Sequence, residues 1–401
     1  MGRCTSTIPS RAPRTEVRAH PAAVGCRPAA AGWYLRSMDR VAQASRAARD
    51  LAASPRVETK PDGRVRSIRA AMGDPQAPLD RMLGILDRHA LLGDDGLLKP
   101  EVMLVSMGDH FDWGKPEDRD RASLDGLALF AWLAHHPCDQ VVMLAGNHDL
   151  GRVGELAAFD DETFLSAHRE GLRAYSPRDP EAERALIRKY PALPTAELAA
   201  RDFSSFSVAQ RELVLEALRA GRLVAAHAHA ADTLLLHAGV TIDQVSGDAF
   251  AIAATLNDAL AAAVRSYDGT PLRIPGFHEP GSAATGEGTG AFYHRPTSEP
   301  GRLKPRRFDP RRIPRGLTQV IGHIGDEKCR ELMAPWAKGE PADGELRTLV
   351  VEEDRVVYEA GIGKGASRIV FTDGGMNRTD PSRYALLDLD RMAPLAFPHQ
   401  G

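Results

Sequence analysis

The chain has 401 residues, of which 43% are hydrophobic, so it is long enough to bury the core of one large domain or two. A formal net charge of −3 gives no general attraction to nucleic acid, and no apolar run approaches the ~18 residues of a membrane span. The four cysteines lack any paired spacing, which excludes a disulfide framework or a zinc ribbon and predicts a reducing, cytoplasmic compartment.

The N-terminal segment differs from the rest of the chain in composition. Before Met38 it combines Arg with Ala, Pro and Ser and contains almost no acidic residue. Its prolines argue against the amphipathic helix of a transit peptide. We therefore expect disorder, or a true start at Met38, followed by a lead-in helix over 38–53. Residues 1–55 are accordingly assigned to an extension outside the domain.

The first half of the domain is predicted to alternate strands and helices. Short apolar runs at 67–72, 102–107 and 140–145 predict strands, because each is followed closely by Gly. Helices are predicted over 79–86, from apolar residues at i, i+3, i+4 and i+7, and over 123–136. The inward face of the second helix is expected to consist of Leu124, Leu127, Ala131 and Ala134. This order is typical of a parallel α/β arrangement.

The second half contains two segments that interrupt the strand pattern. Residues 160–222 are charged and rich in Ala and Leu, which predicts a mostly helical insertion. Residues 269–316 are rich in Gly, Pro and Arg, and a long irregular stretch of this kind is often a functional loop. The other predicted elements are a helix at 248–267 and strands at 233–236, 317–321, 346–352, 355–359, 368–372 and 384–389. The last four strands are expected to be antiparallel, and the whole domain to occupy 56–395.

Short polar motifs end five of these segments. They are Gly73-Asp74-Pro75-Gln76, Gly108-Asp109-His110-Phe111-Asp112-Trp113-Gly114, Gly146-Asn147-His148-Asp149, His237-Ala238-Gly239-Val240 and Gly322-His323. Open α/β sheets bind ligands beyond the carboxyl ends of their strands, so these side chains are expected at one edge. Carboxylate, amide oxygen and imidazole together suit a divalent cation.

In this order the motifs resemble those of the calcineurin-like metallophosphoesterases, in particular the bacterial form of the phosphoprotein phosphatase branch. That branch carries GDxHG, GDxVDRG, GNHE, HGG or HAG, and GH, and its closing segment is similar to Phe371–Met376 here. The resemblance extends over 68–389. It implies an α/β fold, a four-layer αββα sandwich of two mixed β-sheets flanked by helices, with metals at the strand ends.

The resemblance also implies a role for each matching residue. Two divalent cations are expected, Mn²⁺ first, with Fe, Zn or Mg as alternatives. The implied ligands are Asp74 and Gln76 for the first metal, Asp109 for both metals, and Asn147, His237 and His323 for the second. A metal-bound hydroxide would attack phosphorus while His148, held by Asp112, protonates the leaving oxygen.

Two positions depart from the family pattern. Gln76 occupies the place of a His ligand, and Trp113 occupies the place of an Arg that binds phosphate. Trp cannot replace the bidentate, charge-assisted contacts of Arg. Arg295 and Arg152 are the candidate replacements, with Arg295 preferred because the segment around it resembles one that precedes GH in bacterial members. Asn147 is also expected to contact the substrate.

The implied activity is hydrolysis of phosphomonoesters, with protein phosphoserine or phosphothreonine as one candidate substrate. Hydrolysis of nucleotide or dinucleotide polyphosphates is an alternative, because bacterial relatives include diadenosine tetraphosphatases. A third hypothesis is an inactive module that binds metal and phosphate, which Gln76 and Trp113 favour and the retained His148 disfavours. The expected partner is a phosphorylated substrate, and neither nucleic acid nor a membrane is expected.

Overall fold

The computed structural model describes residues 28–283, 285–301, 305–341 and 343–397, and for 28–36 only the backbone. The chain divides into two compact units, 1–36 and 37–401, and the account below concerns the second. Disorder was expected before Met38, and residues 1–27 of that segment lie outside the described residues. Among the described helices, none combines the length and apolarity needed to span a bilayer.

The described residues form nine α-helices and fourteen β-strands. The helices are α1 (Pro28–Ala53), α2 (Leu79–Arg88), α3 (Arg119–His135), α4 (Asn147–Gly151), α5 (Asp161–Tyr175), α6 (Pro180–Lys189), α7 (Val208–Arg219), α8 (Ala249–Arg265) and α9 (Asp326–Leu332). The strands are β1 (Ile68–Met72), β2 (Val102–Ser106), β3 (Val141–Leu144), β4 (Leu223–Val224), β5 (Ala226–Ala230), β6 (Thr233–Leu236), β7 (Arg295–Pro296), β8 (Arg307–Phe308), β9 (Thr318–Ile321), β10 (Arg347–Glu352), β11 (Arg355–Ala360), β12 (Ser367–Phe371), β13 (Leu387–Asp388) and β14 (Ala393–Pro394).

Helical periodicity predicted α2 correctly but misplaced the inward face of α3. In α2 the buried side chains include all four that define the apolar stripe: Leu79, Met82, Leu83 and Leu86. In α3 the expected inward position of Leu124 is wrong, because this residue is 69% exposed. The first turns of α3 instead bury Ala122 and Gly126. The absence of a side chain at Gly126 lets the ring of Phe111 approach the helix closely.

The first sheet has the strand order β14-β13-β1-β2-β3-β4. Strands β1 to β4 are parallel, so the strand–helix–strand arrangement predicted for the first half is confirmed. Strand β13 pairs antiparallel with β1, and β14, at the edge of the sheet, pairs antiparallel with β13. All the carboxyl ends of β1, β2 and β3 therefore meet at one edge of this sheet.

The second sheet has the strand order β11-β10-β12-β9-β6-β5. Its central strands β12, β9 and β6 are parallel, while β10, β11 and β5 pair antiparallel. The antiparallel tail is thus confirmed for β10, β11 and β12. The last predicted strand shortens to β13 and joins the first sheet instead.

The two sheets pack face to face. Apolar side chains from both sheets form one cluster between them: Ala71, Val105, Leu144, Leu235, Val320 and Val370. A larger cluster involves helices α2, α3, α7 and α8, which contact one another or the strands and cover the outer faces. This is the predicted αββα sandwich of two mixed sheets flanked by helices.

Residues 160–222 contain α5, α6, a π-helical turn at Leu198–Asp202 and α7. They have an apolar cluster of their own, which includes Phe164, Phe203 and Phe206. The end of the π-helical turn brings residues 203–205 toward the edge where the motif residues gather, as described below. Residues 269–316 contain little regular structure beyond the two-residue strands β7 and β8, which pair in parallel.

Candidate active site

Five predicted metal ligands follow strands whose carboxyl ends share one edge of the sandwich. In the first sheet, Asp74, Asp109 and Asn147 come after the adjacent strands β1, β2 and β3. In the second sheet, His237 and His323 follow the adjacent strands β6 and β9. Parallel strands therefore bring these side chains to the same place from both sheets.

Asp109, His237 and His323, which we call the Asp109 cluster, have potential ligand atoms within 4.8 Å of one another. His237 Nδ1 donates a hydrogen bond to the carbonyl of Met107 at 2.8 Å, so in the neutral ring Nε2 carries the lone pair that a metal would bind. That Nε2 lies 3.1 Å from Asn147 Oδ1, 3.1 Å from His323 Nδ1 and 3.4 Å from Asp109 Oδ2. One proton can satisfy only a pair of these atoms, whereas a divalent cation can satisfy all of them.

Two members of the cluster have protonation tendencies that fit metal ligands. Burial lowers the pKa of His323 well below its usual value, and the charge of Arg295 adds to the effect, so this imidazole is neutral. Burial opposes ionisation of Asp109, but the nearby His237 and His148 hold its pKa low. Neutral imidazole and ionised carboxylate are the forms that bind a metal. In the third member, His237, burial lowers the pKa, but the charge of Asp109 outweighs it and raises that pKa, so this ring tends to hold a proton that a metal would displace.

Asp74 is a buried carboxylate, and one of its oxygen atoms accepts no hydrogen bond from the described residues. The residue is only 4% exposed, and its Oδ2 accepts a hydrogen bond from the backbone N–H of His323 at 2.8 Å. Its Oδ1 is buried and makes no hydrogen bond to any described residue. Burial raises the pKa of Asp74, and the neighbouring charges of Asp373 and Asp109 raise it further. A cation at this position would relieve both effects.

The backbone around these ligands is unusual in two ways. Asp109, Asp112 and His323 have φ angles of 55°, 65° and 65°, a region that side chains other than glycine rarely adopt and that is often found at functional sites. In addition, a Cβ at Gly146 or Gly322 would collide with the carboxylate of Asp109 or Asp74. Glycine in these two motifs therefore leaves room for the carboxylates.

His148 lies beside the cluster. Its Nδ1 donates a hydrogen bond to Asp112 Oδ2 at 2.9 Å, and its Nε2 lies 3.9 Å from Asp109 Oδ2. Burial lowers the pKa of His148, but the charge of Asp109 and the hydrogen bond to Asp112 outweigh it and raise that pKa to about 9. The Nε2 atom can therefore carry a proton toward the metal-ligand cluster.

Besides His148, two residues hold Asp112 through three hydrogen bonds, and sequence reasoning missed one of the two. Ser205, from the insertion, donates to Asp112 Oδ1 from its backbone N–H at 3.0 Å and from its hydroxyl at 2.7 Å. Arg152 donates to Asp112 Oδ2 at 3.0 Å. Burial opposes ionisation, yet the charge of Arg152 and the hydrogen bond from His148 lower the pKa of Asp112 to about 2. No motif marks Ser205, because it lies 93 residues further along the chain.

Asp149 organises the loops that carry the ligands. It accepts hydrogen bonds from the backbone N–H groups of Asp109, His110 and Gly146 at 2.8–3.1 Å. It also contacts His110 Nδ1 at 3.0 Å, while the other ring nitrogen of His110 contacts Ser106 Oγ at 3.0 Å. Both nitrogens of His110 are thus engaged away from the Asp109 cluster.

Comparison with known protein families gives a match over a large part of the chain. Residues 70–288, more than half of the chain, match the model of the calcineurin-like phosphoesterase family. The chain belongs to this family. The match includes Asp74, Asp109, His148 and His237 and ends before Arg295. As a calcineurin-like phosphoesterase, the protein is a hydrolase acting on phosphoester bonds in a metal-dependent family.

A solved structure is also similar, at low identity. It is a protein serine/threonine phosphatase from Saccharomyces cerevisiae with similarity to human phosphatase PP5. The identity is 14%, the alignment covers 85% of this chain and 80% of that one, and the TM-score is 0.35. No curated protein sequence matches the chain.

The structure corrects the expected role of Arg152 in this phosphoesterase. Arg152 is fully buried, and its guanidinium contacts Asp112, the carbonyl of His148 and Gln210 Oε1. The guanidinium also lies over the ring of Phe111, 4.0 Å from its centroid. A side chain enclosed in this way supports Asp112 and is not exposed to bind a substrate.

Arg295 is placed differently. Its side chain is 21% exposed, and its Nη1 lies 3.1 Å from Glu287 Oε2. Its charge lowers the pKa of His323, so the guanidinium lies on the side of the Asp109 cluster. Of the two candidate arginines, only Arg295 is both accessible and near the cluster.

The two departures from the family pattern have distinct surroundings. Gln76 lines a cavity shared with Asp74, and its side-chain amide has no hydrogen-bond partner among the described residues. Trp113 is 7% exposed, and the guanidinium of Arg121 lies 5.5 Å from its ring centroid. Trp113 is therefore packed into the protein, whereas Gln76 faces open space beside a ligand.

Proposed function

We propose that the protein is a phosphomonoesterase of the phosphoprotein phosphatase type that works with two divalent cations. The observation that carries this proposal is the hydrogen bond between His148 and Asp112 beside the Asp109 cluster. A module that only bound phosphate would not need a proton donor whose Nε2 lies 3.9 Å from Asp109. Such a module would also have no use for a buried carboxylate that holds the proton donor in place.

The proposed metal ligands are those implied by the sequence: Asp74, Gln76, Asp109, Asn147, His237 and His323. The first site is built mainly from carboxylate and amide oxygens, which favour Mg²⁺ or Mn²⁺. The second site adds two imidazoles, which Mn²⁺, Fe and Zn accept. Mn²⁺ is compatible with both ligand sets and is the cation that we propose.

When bound, two such cations would polarise the phosphoryl oxygens and lower the pKa of the attacking water molecule. Hydrolysis forms a new P–O bond from water and breaks the ester P–O bond, so the leaving oxygen needs a proton. His148 Nε2 can supply that proton, while Asp112 fixes its Nδ1–H. A cation on Asp109 would cancel part of the attraction that keeps the pKa of His148 near 9. A lower pKa would favour release of the proton to the leaving oxygen, because a general acid works best with a pKa near the working pH.

Arg295 is the proposed phosphate-binding residue, assisted by Asn147. Its guanidinium is partly exposed and influences His323 electrostatically, which supports a location near the transferred phosphoryl group. Arg295 replaces the family arginine whose position is taken by Trp113. Its present partner, Glu287, would share the guanidinium with phosphate, because Arg has five donors.

The proposed substrate is protein phosphoserine or phosphothreonine. The order of the motifs, including Gly146–Asp149 and His237–Val240, is that of the phosphoprotein phosphatase branch, which is compatible with this class and also with the dinucleotide polyphosphates. A cytoplasmic location is proposed from the absence of paired cysteine spacing. The comparison of kcat/KM between a phosphopeptide and a diadenosine polyphosphate decides between the two hydrolase hypotheses.

The decisive experiment is hydrolysis of an aryl phosphate by the full chain after chelator treatment, with and without added Mn²⁺. We expect no activity with the chelator and recovery with Mn²⁺. The matched variant is Asp109→Asn, which keeps the size of the side chain but removes its charge. It should abolish activity and lower the bound metal below the wild-type stoichiometry. A fully active Asp109→Asn enzyme with unchanged metal content would contradict the proposal.

A further inference from the structure

The carboxyl end of a third central strand in the second sheet also reaches the site. Strands β9 and β12 are parallel neighbours in which Phe371 is paired with Ile321. Asp373 and His323 each lie two residues beyond this pair, so they occupy equivalent positions after the two strands. The turn that carries Asp373 also touches the end of β1, because a Cβ on Gly73 would collide with the carbonyl of Thr372. Asp373 therefore lies on the side of the site that carries Asp74.

Asp373 shares a cavity with the two proposed ligands of the first metal. This cavity of about 200 Å³ is lined by Asp74, Gln76, Asp373 and residues 375–378. Asp74, which is 4% exposed, has an Oδ1 without a hydrogen-bond partner among the described residues, and the amide of Gln76 has none either. Arg378 lines the same space but forms no ion pair with either carboxylate in the described structure. Oxygen atoms therefore converge here without a compensating cation.

A simpler role for Asp373 is to cap its own turn. Its Oδ1 accepts a hydrogen bond from the backbone N–H of Gly375 at 2.9 Å. However, the turn has other anchors, since the buried Arg347 donates to the carbonyls of Asp373 and Ile324. The second carboxylate oxygen of Asp373 has no hydrogen bond or ion pair to described residues. Capping therefore uses one of the two oxygens and leaves the other available.

We propose that Asp373 is a ligand of the first metal and compensates for the imidazole that Gln76 replaces. The first site then consists of oxygen ligands from Asp74, Gln76, Asp109 and Asp373, whereas the second contains two imidazoles. Asp74 and Asp373 are not part of the compact Asp109 cluster, so most ligands of the first site lie outside that cluster. An all-oxygen shell favours a hard cation such as Mn²⁺ or Mg²⁺ over Zn²⁺. This inference rests on the proposed di-metal function.

The test is direct Mn²⁺ binding to the chelator-treated full chain, measured by calorimetry and by electron paramagnetic resonance. Asp373→Asn keeps an acceptor for Gly375 but removes the charge, and Asp373→Ala removes both. The matched control is Asp380→Asn. Asp380 is exposed and caps a nearby turn by accepting a hydrogen bond from the backbone N–H of Ser382 at 2.7 Å. Thermal unfolding in the presence of chelator checks that each variant is folded.

Wild type should bind two Mn²⁺ ions with a spin-coupled spectrum. Asp373→Ala should weaken one site by at least the ~10–100-fold seen when a supporting metal-site contact is lost, and abolish the coupling. Asp373→Asn should weaken that site less, and Asp380→Asn should leave both sites unchanged. Adding Gln76→His to Asp373→Ala should restore part of the lost affinity.

If folded Asp373→Ala bound both Mn²⁺ ions as tightly as the wild type does, Asp373 would not be a metal ligand, while the proposed function would stand. An equal loss of affinity in Asp380→Asn would overturn it as well, because the effect would not be specific to the shared cavity. If wild type itself bound no Mn²⁺, the proposed di-metal function would fail, and this inference would fail with it.

Discussion

Replacing Arg152 by Met tests whether this residue supports the proposed general acid, His148, through Asp112 or binds the substrate. The Arg152 guanidinium lies within hydrogen-bonding distance of Asp112 Oδ2 (3.0 Å), the carbonyl of His148 (2.6 Å) and Gln210 Oε1 (3.1 Å). Met is of similar length and apolar, so it can fill the space over Phe111 without replacing the charge. The variant therefore leaves the buried Asp112 with its contacts to Ser205 and His148 only.

The expected cost can be estimated in two ways. Removing one partner of a buried ion pair typically destabilises a protein by about 3–5 kcal/mol. Independently, the depression of the pKa of Asp112 from 3.8 to about 2 corresponds to about 2 kcal/mol of net stabilisation from all its partners. Since the contacts of Asp112 with Ser205 and His148 remain, we expect the free energy of unfolding to fall by an amount near the lower end of this range, about 3 kcal/mol. At roughly 2 °C per kcal/mol for a large domain, the Tm should fall by about 6 °C.

Two measurements distinguish the two roles of Arg152: thermal unfolding reports its structural role, and inhibition by free phosphate reports its contact with the substrate. Arg152→Met should lower the Tm but leave the inhibition constant for phosphate close to wild type, whereas Arg295→Ala should weaken phosphate inhibition with little change in Tm. The double variant Arg152→Met/Asp112→Asn should regain much of the stability, because the unpaired charge is gone. A normally stable Arg152→Met protein with weakened phosphate inhibition would refute this account and return Arg152 to the substrate.

Three further predictions concern proton transfer, the first metal and pH. His148→Asn should lower kcat by roughly 10²–10⁴, less for an aryl phosphate, with metal content retained; loss of metal without a specific rate effect would reassign the residue. Gln76→His should reduce the Mn²⁺ concentration needed for half-maximal activity and Gln76→Ala should raise it, whereas superimposable curves would exclude Gln76 as a ligand. Burial lowers the pKa of His136 to about 4, and the neutral ring donates to the Trp132 carbonyl and accepts from the N–H of Leu98. As the pH falls, His136 becomes protonated in the unfolded chain before it does so in the folded protein. The stabilisation that neutral His136 provides is therefore complete above pH 6.5 and is lost as the pH falls toward 4. Urea unfolding at pH 7 and pH 5 should show a difference of about 2 kcal/mol that His136→Gln reduces.

The motif residues could be predicted because each lies directly after a strand. Short apolar runs ending in Gly place Asp74, Asp109 and His237 at strand ends without knowledge of long-range contacts. The fold class followed from the same runs and from the family resemblance. Residue patterns thus identify groups whose position depends mainly on the local chain.

Long-range packing accounts for what the sequence could not predict. Leu124 was assigned to the core by its hydrophobicity, but close packing selected the small residues on the opposite side of α3. Arg152 was assigned to the substrate because it follows Gly146–Asp149, although the helix turns its side chain inward to Asp112. Ser205 had no local signal at all, since its role depends on how the insertion folds back.

The contact between Ser205 and Asp112 also ties the proton donor to a peripheral part of the chain. Both hydrogen bonds to Asp112 Oδ1 come from one residue of the insertion, while the proposed metal ligands all follow strands of the two sheets. Local unfolding of peripheral helices requires less free energy than unfolding of a central sheet. Opening of this segment would release Asp112 and loosen the ring of His148 without removing a metal ligand. Shortening or exchanging the insertion would therefore change the rate of protonation as well as the range of substrates admitted.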